Sequence, residues 1–340
     1  VKQTEDYTIK IVSATKLLDY KTNFMPLFTK SPKIEEFVER VRNVGDHVFR
    51  NITGNDMREL YHGKTKKEGY TQLFAVTNPL EKSRITKAYL ILNKKQKDSI
   101  IIGIKNSEQT IEIPISRTEP FLRTITGLKS FGNCDVDFVI SKEPKKSGIK
   151  QWEDISPKWN VKKNGRFDWF EHNKILQKNR SYVFLASNFR PDSDNTYHLA
   201  FHTREKICAP HTLKALMCEN SEEGKFQTLL LNSSFGVALM LMYRSQASGG
   251  KAQIGEKDYM HYDIFDVSKL SKDQKMDLIK LYKKLEKVEF PSLKEQYSYN
   301  NEHRRTLDVG ILEILGLKKQ EINSMLDKIY PVFPDEFTVD

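Results

Sequence analysis

The sequence predicts an α+β fold, with a mixed β-sheet region followed by a C-terminal helical segment. Short strand-like runs dominate the first two thirds, and helical patterns dominate the last third. No regular βαβ alternation joins them, so a doubly wound parallel sheet is not expected. The 340 residues leave room for two domains of about 100–200 residues each.

The elements follow in chain order. Residues 1–28 mix apolar and polar positions and end at Asn23-Phe24-Met25-Pro26. A helix is expected from Ile34 to Val48. Ser31 and Pro32 suit its cap and first turn, and Ile34, Phe37, Val38 and Val41 share one face. Strands are expected at Leu73–Thr77, Ala88–Leu92, Ser99–Ile104, Gln109–Ile115 and Phe138–Ser141, separated by turn-forming or charged residues. Glu143 to Arg166 is rich in Lys, Gly, Pro and Trp and reads as a surface insertion. Tyr182–Ala186 and Tyr197–Phe201 read as two further strands, joined through Asn188-Phe189-Arg190-Pro191-Asp192. Phe226 to Tyr243 is apolar on all sides and reads as one buried helix. Ser245 to Gly255 is rich in Ser, Ala and Gly and reads as a flexible loop. Ser271 with Gln274 three residues on is a capping box for the next helix. Helices are then expected at Arg304–Leu315 and Gln320–Tyr330, with Gly316 as the stop between them. The resulting parts are a basic α+β region over 1–150, a central region with the glycine-bearing loop over 151–266, and a helical segment over 267–340.

Charge is unevenly placed. Residues 1–150 hold 27 Lys and Arg against 18 Asp and Glu, so nine of the ten excess positive charges lie there. A one-sided basic excess suits a polyanion. Cys134, Cys208 and Cys218 are odd in number and form no CxxC pair, which argues against a disulfide framework and a zinc knuckle and suggests idle thiols in a reducing cytoplasm. The longest apolar run, Phe235 to Tyr243, is half of the roughly 18 residues a membrane span needs. The N-terminus has no apolar core of a signal peptide, and its start without Met suggests a fragment of a longer protein.

Catalytic patterns are missing. The sequence contains no GxxxxGK[ST], GxGxxG, HExxH or GxSxG. An amino-methyltransferase needs a short Asn/Asp-Pro-Pro-aromatic string to hold the target amino group. Asn78-Pro79-Leu80 lacks the second proline and the ring, and Phe131-Gly132-Asn133 is a lone glycine turn. Neither Asp135-x-Asp137 nor Glu205-x-x-Cys208 makes a nuclease metal cluster. His202 and His211 have no matching carboxylate and read as core or surface histidines, while Asp192 and Asp194 read as a polar turn.

One ordered set of segments stands out. Tyr182 to Arg190 is followed by Leu230-Leu231-Asn232-Ser233-Ser234-Phe235-Gly236, by Ser248-Gly249-Gly250-Lys251-Ala252-Gln253-Ile254, by Lys257-Asp258-Tyr259 and by Ile264-Phe265-Asp266-Val267. Upstream stand Thr53-Gly54-Asn55, Leu73-Phe74-Ala75-Val76, Ile111-Glu112-Ile113-Pro114 and Pro120-Phe121-Leu122-Arg123. Downstream, Arg305-Thr306-Leu307-Asp308 leads to Leu315-Gly316-Leu317. This order resembles the target-recognition regions of N6-adenine DNA methyltransferases of type II and fused restriction–modification systems, and the related type I specificity subunits. Ile264–Val267 lacks the prolines those families carry there.

The resemblance implies a non-catalytic recognition part that binds double-stranded DNA. The N-terminal catalytic methyltransferase domain, and its S-adenosylmethionine, would then belong to the parent protein. It also implies that the loop enters a groove, because small residues let the backbone approach. On that reading Ser248, Gly249, Gly250, Lys251 and Gln253 contact DNA, Arg190 reads from its own loop, and Arg244 grips a phosphate. For Arg190 the structural alternative is an ion pair with Asp192; for Arg244 it is capping of helix carbonyls. The competing function is a non-catalytic protein-interaction module of a restriction system.

Overall fold

The computed structural model describes residues 2–3, 8–9, 31–59, 75–80, 82–86, 88, 90–134, 136–141, 173–174, 176–177, 180–210, 212–247, 251–298 and 301–337. The expected insertion at Glu143–Arg166 lies outside them, as do Leu73, Phe74, Asp135 and His211. The chain is α+β, as its pattern predicts.

Strands β1 (Lys2–Gln3) and β2 (Thr8–Ile9) pair with each other. Helix α1 (Pro32–Gly45) starts where its cap predicts, with the Ser31 side chain accepting from the Lys33 amide. β3 (Phe49–Asn51) and β4 (Met57–Glu59) follow. A six-stranded sheet is then built from β5 (Ala75–Thr77), β6 (Leu90–Lys95), β7 (Ser99–Ile104), β8 (Thr110–Pro114), β9 (Thr118–Phe121) and β10 (Asp137–Ile140), in the order β8-β7-β6-β5-β10-β9. The β5–β6 pairing is parallel and the others are antiparallel, so the sheet is mixed. The short helix α2 (Lys82–Ile85) makes the parallel crossover and carries Arg84 into the interior. There Arg84 donates to both oxygens of Asp137 at 2.8 and 2.7 Å, and to the carbonyls of Asn78 and Thr124. Asp137 also accepts from the amides of Asn78 and Arg123, so every group of this buried pair is answered.

The central part holds β11 (Ser181–Ala186), β12 (Asn188–Phe189), β13 (Ala200–Ile207) and β14 (Leu213–Leu216). An antiparallel sheet runs β13-β11-β14-β4, so a strand from the basic region completes it. The strand expected at Tyr197–Phe201 begins at Ala200 instead. Tyr197 and His198 belong to the lead-in: the Tyr197 carbonyl is taken by the Gln296 side chain, and His198 is caged by Phe131, Phe201 and Phe290.

The helix expected at Phe226–Tyr243 is two helices. α3 (Ser221–Asn232) and α4 (Ser234–Tyr243) meet at 67° with Ser233 extended between them. Distant partners make the break. The Asn232 amide accepts from the Leu199 and Ala200 N–H groups and donates to the Ala200 carbonyl. The amide and hydroxyl of Ser234 both donate to buried Asp308. Added at Gly236, a Cβ would sit 2.3 Å from the Leu231 carbonyl oxygen, so the bend is tight enough to need glycine there. The segment Leu230–Gly236 is therefore a structural hub. No single helix among the described residues is long and apolar enough to cross a membrane, and this bent pair is buried.

Next come β15 (Ser245–Ala247), β16 (Lys251–Gln253), the short α5 (Glu256–Tyr259) and β17 (Asp263–Phe265), which pairs with β3. The closing helices are α6 (Lys272–Leu285), α7 (Leu293–Ser298), α8 (Glu302–Ile314), α9 (Lys319–Ile329) and α10 (Phe333–Phe337). Both bonds of the Ser271–Gln274 capping box are present, and Gly316 takes φ +102° after α8. One core cluster takes residues from Ile34 to Phe337, so the expected part boundaries at 150 and 266 do not separate independent cores. The six-stranded sheet has its own smaller cluster.

Two core histidines set an acid limit. His202 Nε2 lies 3.1 Å from the Ser221 carbonyl and its Nδ1 lies 2.8 Å from the Tyr282 hydroxyl, a pattern that suits the neutral ring. Burial lowers His202 from 6.5 to about 4 and His198 from 6.5 to about 3. The unfolded chain takes up these protons below pH 6.5, before the fold can. Their stabilisation is thus complete above pH 6.5 and declines as pH falls toward the folded values. At pH ~5 the expected loss is about 2 kcal/mol per histidine. Urea midpoints at neutral and acid pH measure it, and His202→Gln should flatten the dependence.

Candidate nucleic-acid interface

The stretch from Ser245 to Gln253 is a β-hairpin where the composition predicts a loop. β15 and β16 pair antiparallel, Ser245 with Gln253 and Ala247 with Lys251. Backbone pairing supplies the order that the small side chains cannot. Ser248, Gly249 and Gly250 join the two strands and lie outside the described residues. β12 adds to the other edge of β16, with Asn188 opposite Gln253 and Phe189 opposite Ala252. The three-stranded sheet thus runs β12-β16-β15, and the Ile254 amide donates to the Ser187 carbonyl at 2.9 Å to close its base.

Alternation gives this sheet two unlike faces. Ala252 is fully buried and Phe189 packs on the main core. Lys251, Gln253 and Asn188 are exposed. Residues directly opposite on antiparallel strands share a face, so Asn188 and Gln253 stand side by side. Arg190 follows Phe189 and Lys251 precedes Ala252, so two cationic side chains lie at that end of the sheet. Lys251 and Gln253 both stand on this exposed face. Asn188 was not anticipated, because its relevance depends on a register that joins positions 65 residues apart.

Arg190 is exposed, and its Nε and Nη2 donate to Asp192 at 3.2 and 2.9 Å. The guanidinium is thus paired within its own loop. Arg244 does not fit its expected role as a phosphate grip. It is 8% exposed, and its Nη2 donates to the Glu336 carbonyl at 2.6 Å. Its Nη1 is buried with no hydrogen-bond partner, and burial lowers its pKa against the opposing charge of Glu336. Arg244 caps α4 through its backbone while its side chain reaches α10.

The surroundings hold the sheet still. The Tyr259 hydroxyl donates to the Ala186 carbonyl, and the Asp258 carboxylate accepts from the Gly255 amide. Arg42 donates to Asp263, to the Tyr243 hydroxyl and to the His261 carbonyl. A second basic feature is the end of β6 and the turn into β7, where Lys94, Lys95 and Lys97 are exposed. No group of three or more His, Cys, Asp or Glu fit for a metal occurs among the described residues. All three cysteines are buried, and burial pushes Cys208 up to about 12 and Cys218 upward too. None is poised as a nucleophile.

No protein-family model and no curated protein sequence matches the chain. Among solved structures it is similar to the type IIG restriction endonuclease BpuSI, with a TM-score of 0.56 and 13% identity. The match covers 95% of this chain and 35% of that one. Over nearly its whole length, then, the chain has an α+β fold also found in about a third of a type IIG restriction endonuclease.

Proposed function

We propose that this chain is the sequence-specific DNA-recognition part of a site-specific N6-adenine DNA methyltransferase of a restriction–modification system. The observation that carries the reading is the fold likeness, which spans 95% of the chain and leads to a DNA-cutting enzyme. The polar face of the hairpin sheet and the uneven basic charge support it. In this proposal the chain works on duplex DNA in the cytoplasm. Methyl transfer and S-adenosylmethionine belong to a catalytic domain elsewhere in the parent protein.

Phosphate contacts release counterions, at about −0.9 in the log–log salt slope per contact. With about four contacts, duplex affinity should fall roughly 100-fold between about 50 and 200 mM salt. Fluorescence anisotropy with a labelled duplex measures this. A flat response would discard the DNA reading and leave the protein-interaction module of a restriction system. Calorimetry with S-adenosylmethionine should show no binding to the chain alone, and micromolar binding would contradict the division of labour.

A further inference from the structure

We infer that Asn188 and Gln253 form a pair of side-chain amides that reads an adenine edge in the major groove of duplex DNA, with Lys251 supplying positive charge on one side. The inference rests on the DNA-binding reading above and adds the base and the residues. Its ground is the strand register. Asn188 and Gln253 are direct cross-strand partners on the exposed face, where opposite Cβ atoms lie about 4.5–5.5 Å apart. Adenine shows its N6–H₂ and N7 groups in the major groove, and the three-stranded sheet β12-β16-β15 presents the two amides on its exposed face.

Chemistry selects the base. Adenine offers a donor and an acceptor on that edge, N6–H₂ and N7, and a carboxamide offers the complementary pair. Guanine offers two acceptors and is matched by a free Arg or Lys fork. Here the Arg190 fork is engaged by Asp192, whose carboxylate also offsets its charge. Lys251 is a point charge two residues along β16 from Gln253, on the same face. Complementarity therefore favours an A·T pair with a phosphate on the Lys251 side.

The test uses the whole chain and a pool of randomised DNA duplexes. Selection with the wild-type chain should enrich sites with at least one fixed A·T pair. Asn188→Ala and Gln253→Ala should each lose about 5- to 150-fold discrimination at that position. The double variant should lose less than the product of the two, because the amides act together. Lys251→Ala should weaken all duplexes alike and keep the preferred site. Thermal unfolding of the variants should match wild type, since both amides are exposed. Unchanged site preference in both amide variants would overturn the pair and leave DNA binding standing, as would loss of discrimination at a G·C position. Wild-type binding without any preference would do the same. Failure of the wild-type chain to bind any duplex would overturn the underlying reading as well.

Discussion

Asp308→Ala is expected to destabilise the fold by about 3–5 kcal/mol, the usual cost of removing one partner from a buried charged network. Asp308 is 1% exposed and accepts from the amide and hydroxyl of Ser234 and from the Tyr330 hydroxyl. Its carboxylate also lies 3.9 Å from the guanidinium of fully buried Arg304. Arg304 in turn donates to Gln296 and to the Asn232 carbonyl, at the end of α3. Alanine would strand three donors and a cation in the interior. It would also remove the acceptor for the buried first amide of α4, so the α3–α4 bend itself should loosen. Asp308→Asn keeps an acceptor for Ser234 and should cost less. Urea unfolding resolves the two variants, and an Asp308→Ala midpoint equal to wild type would refute the hub.

Arg84→Ala should cost a similar amount, about 3–5 kcal/mol, by leaving the Asp137 charge buried without its cation. Three nitrogens of Arg84 reach three separate acceptors. Arg84→Lys has one nitrogen to offer and should recover only part of the loss. The damage should centre on the six-stranded sheet, where Arg84 joins the β5–β6 crossover to β10. Hydrogen exchange would show faster opening of β5 and β10 than of α3. By contrast, Arg190→Ala should leave stability unchanged, because that ion pair is on the surface.

Local signals in the sequence were legible. The Ser31 cap, the Ser271–Gln274 box and the Gly316 stop each depend on residues within a few positions, and all three are realised. β7 matches its expected limits because its β-branched run is bounded by charged and turn residues. What could not be read depends on distant partners. The break at Ser233 is set by residues 199, 200 and 308. The hairpin at Ser245–Gln253 has a loop's composition and takes its order from backbone pairing to β12. The burial of Arg244 depends on a carbonyl 92 residues away. The candidate reading face was accordingly half visible: Lys251 and Gln253 from their local stretch, Asn188 only from the sheet.

Arg244 sits directly before β15, and its link to Glu336 has a consequence for how the chain tolerates shortening. The Glu336 carbonyl is the acceptor for Arg244, and the Glu336 carboxylate takes the Ser31 amide ahead of α1. The hairpin is thus footed where two remote stretches of the chain meet. Trimming back past residue 336 would remove no residue of the exposed face. It would leave the Arg244 cation buried without its acceptor, and the strand that starts one residue later would lose its footing. Damage done at the far end of the sequence would then surface as a fault in reading.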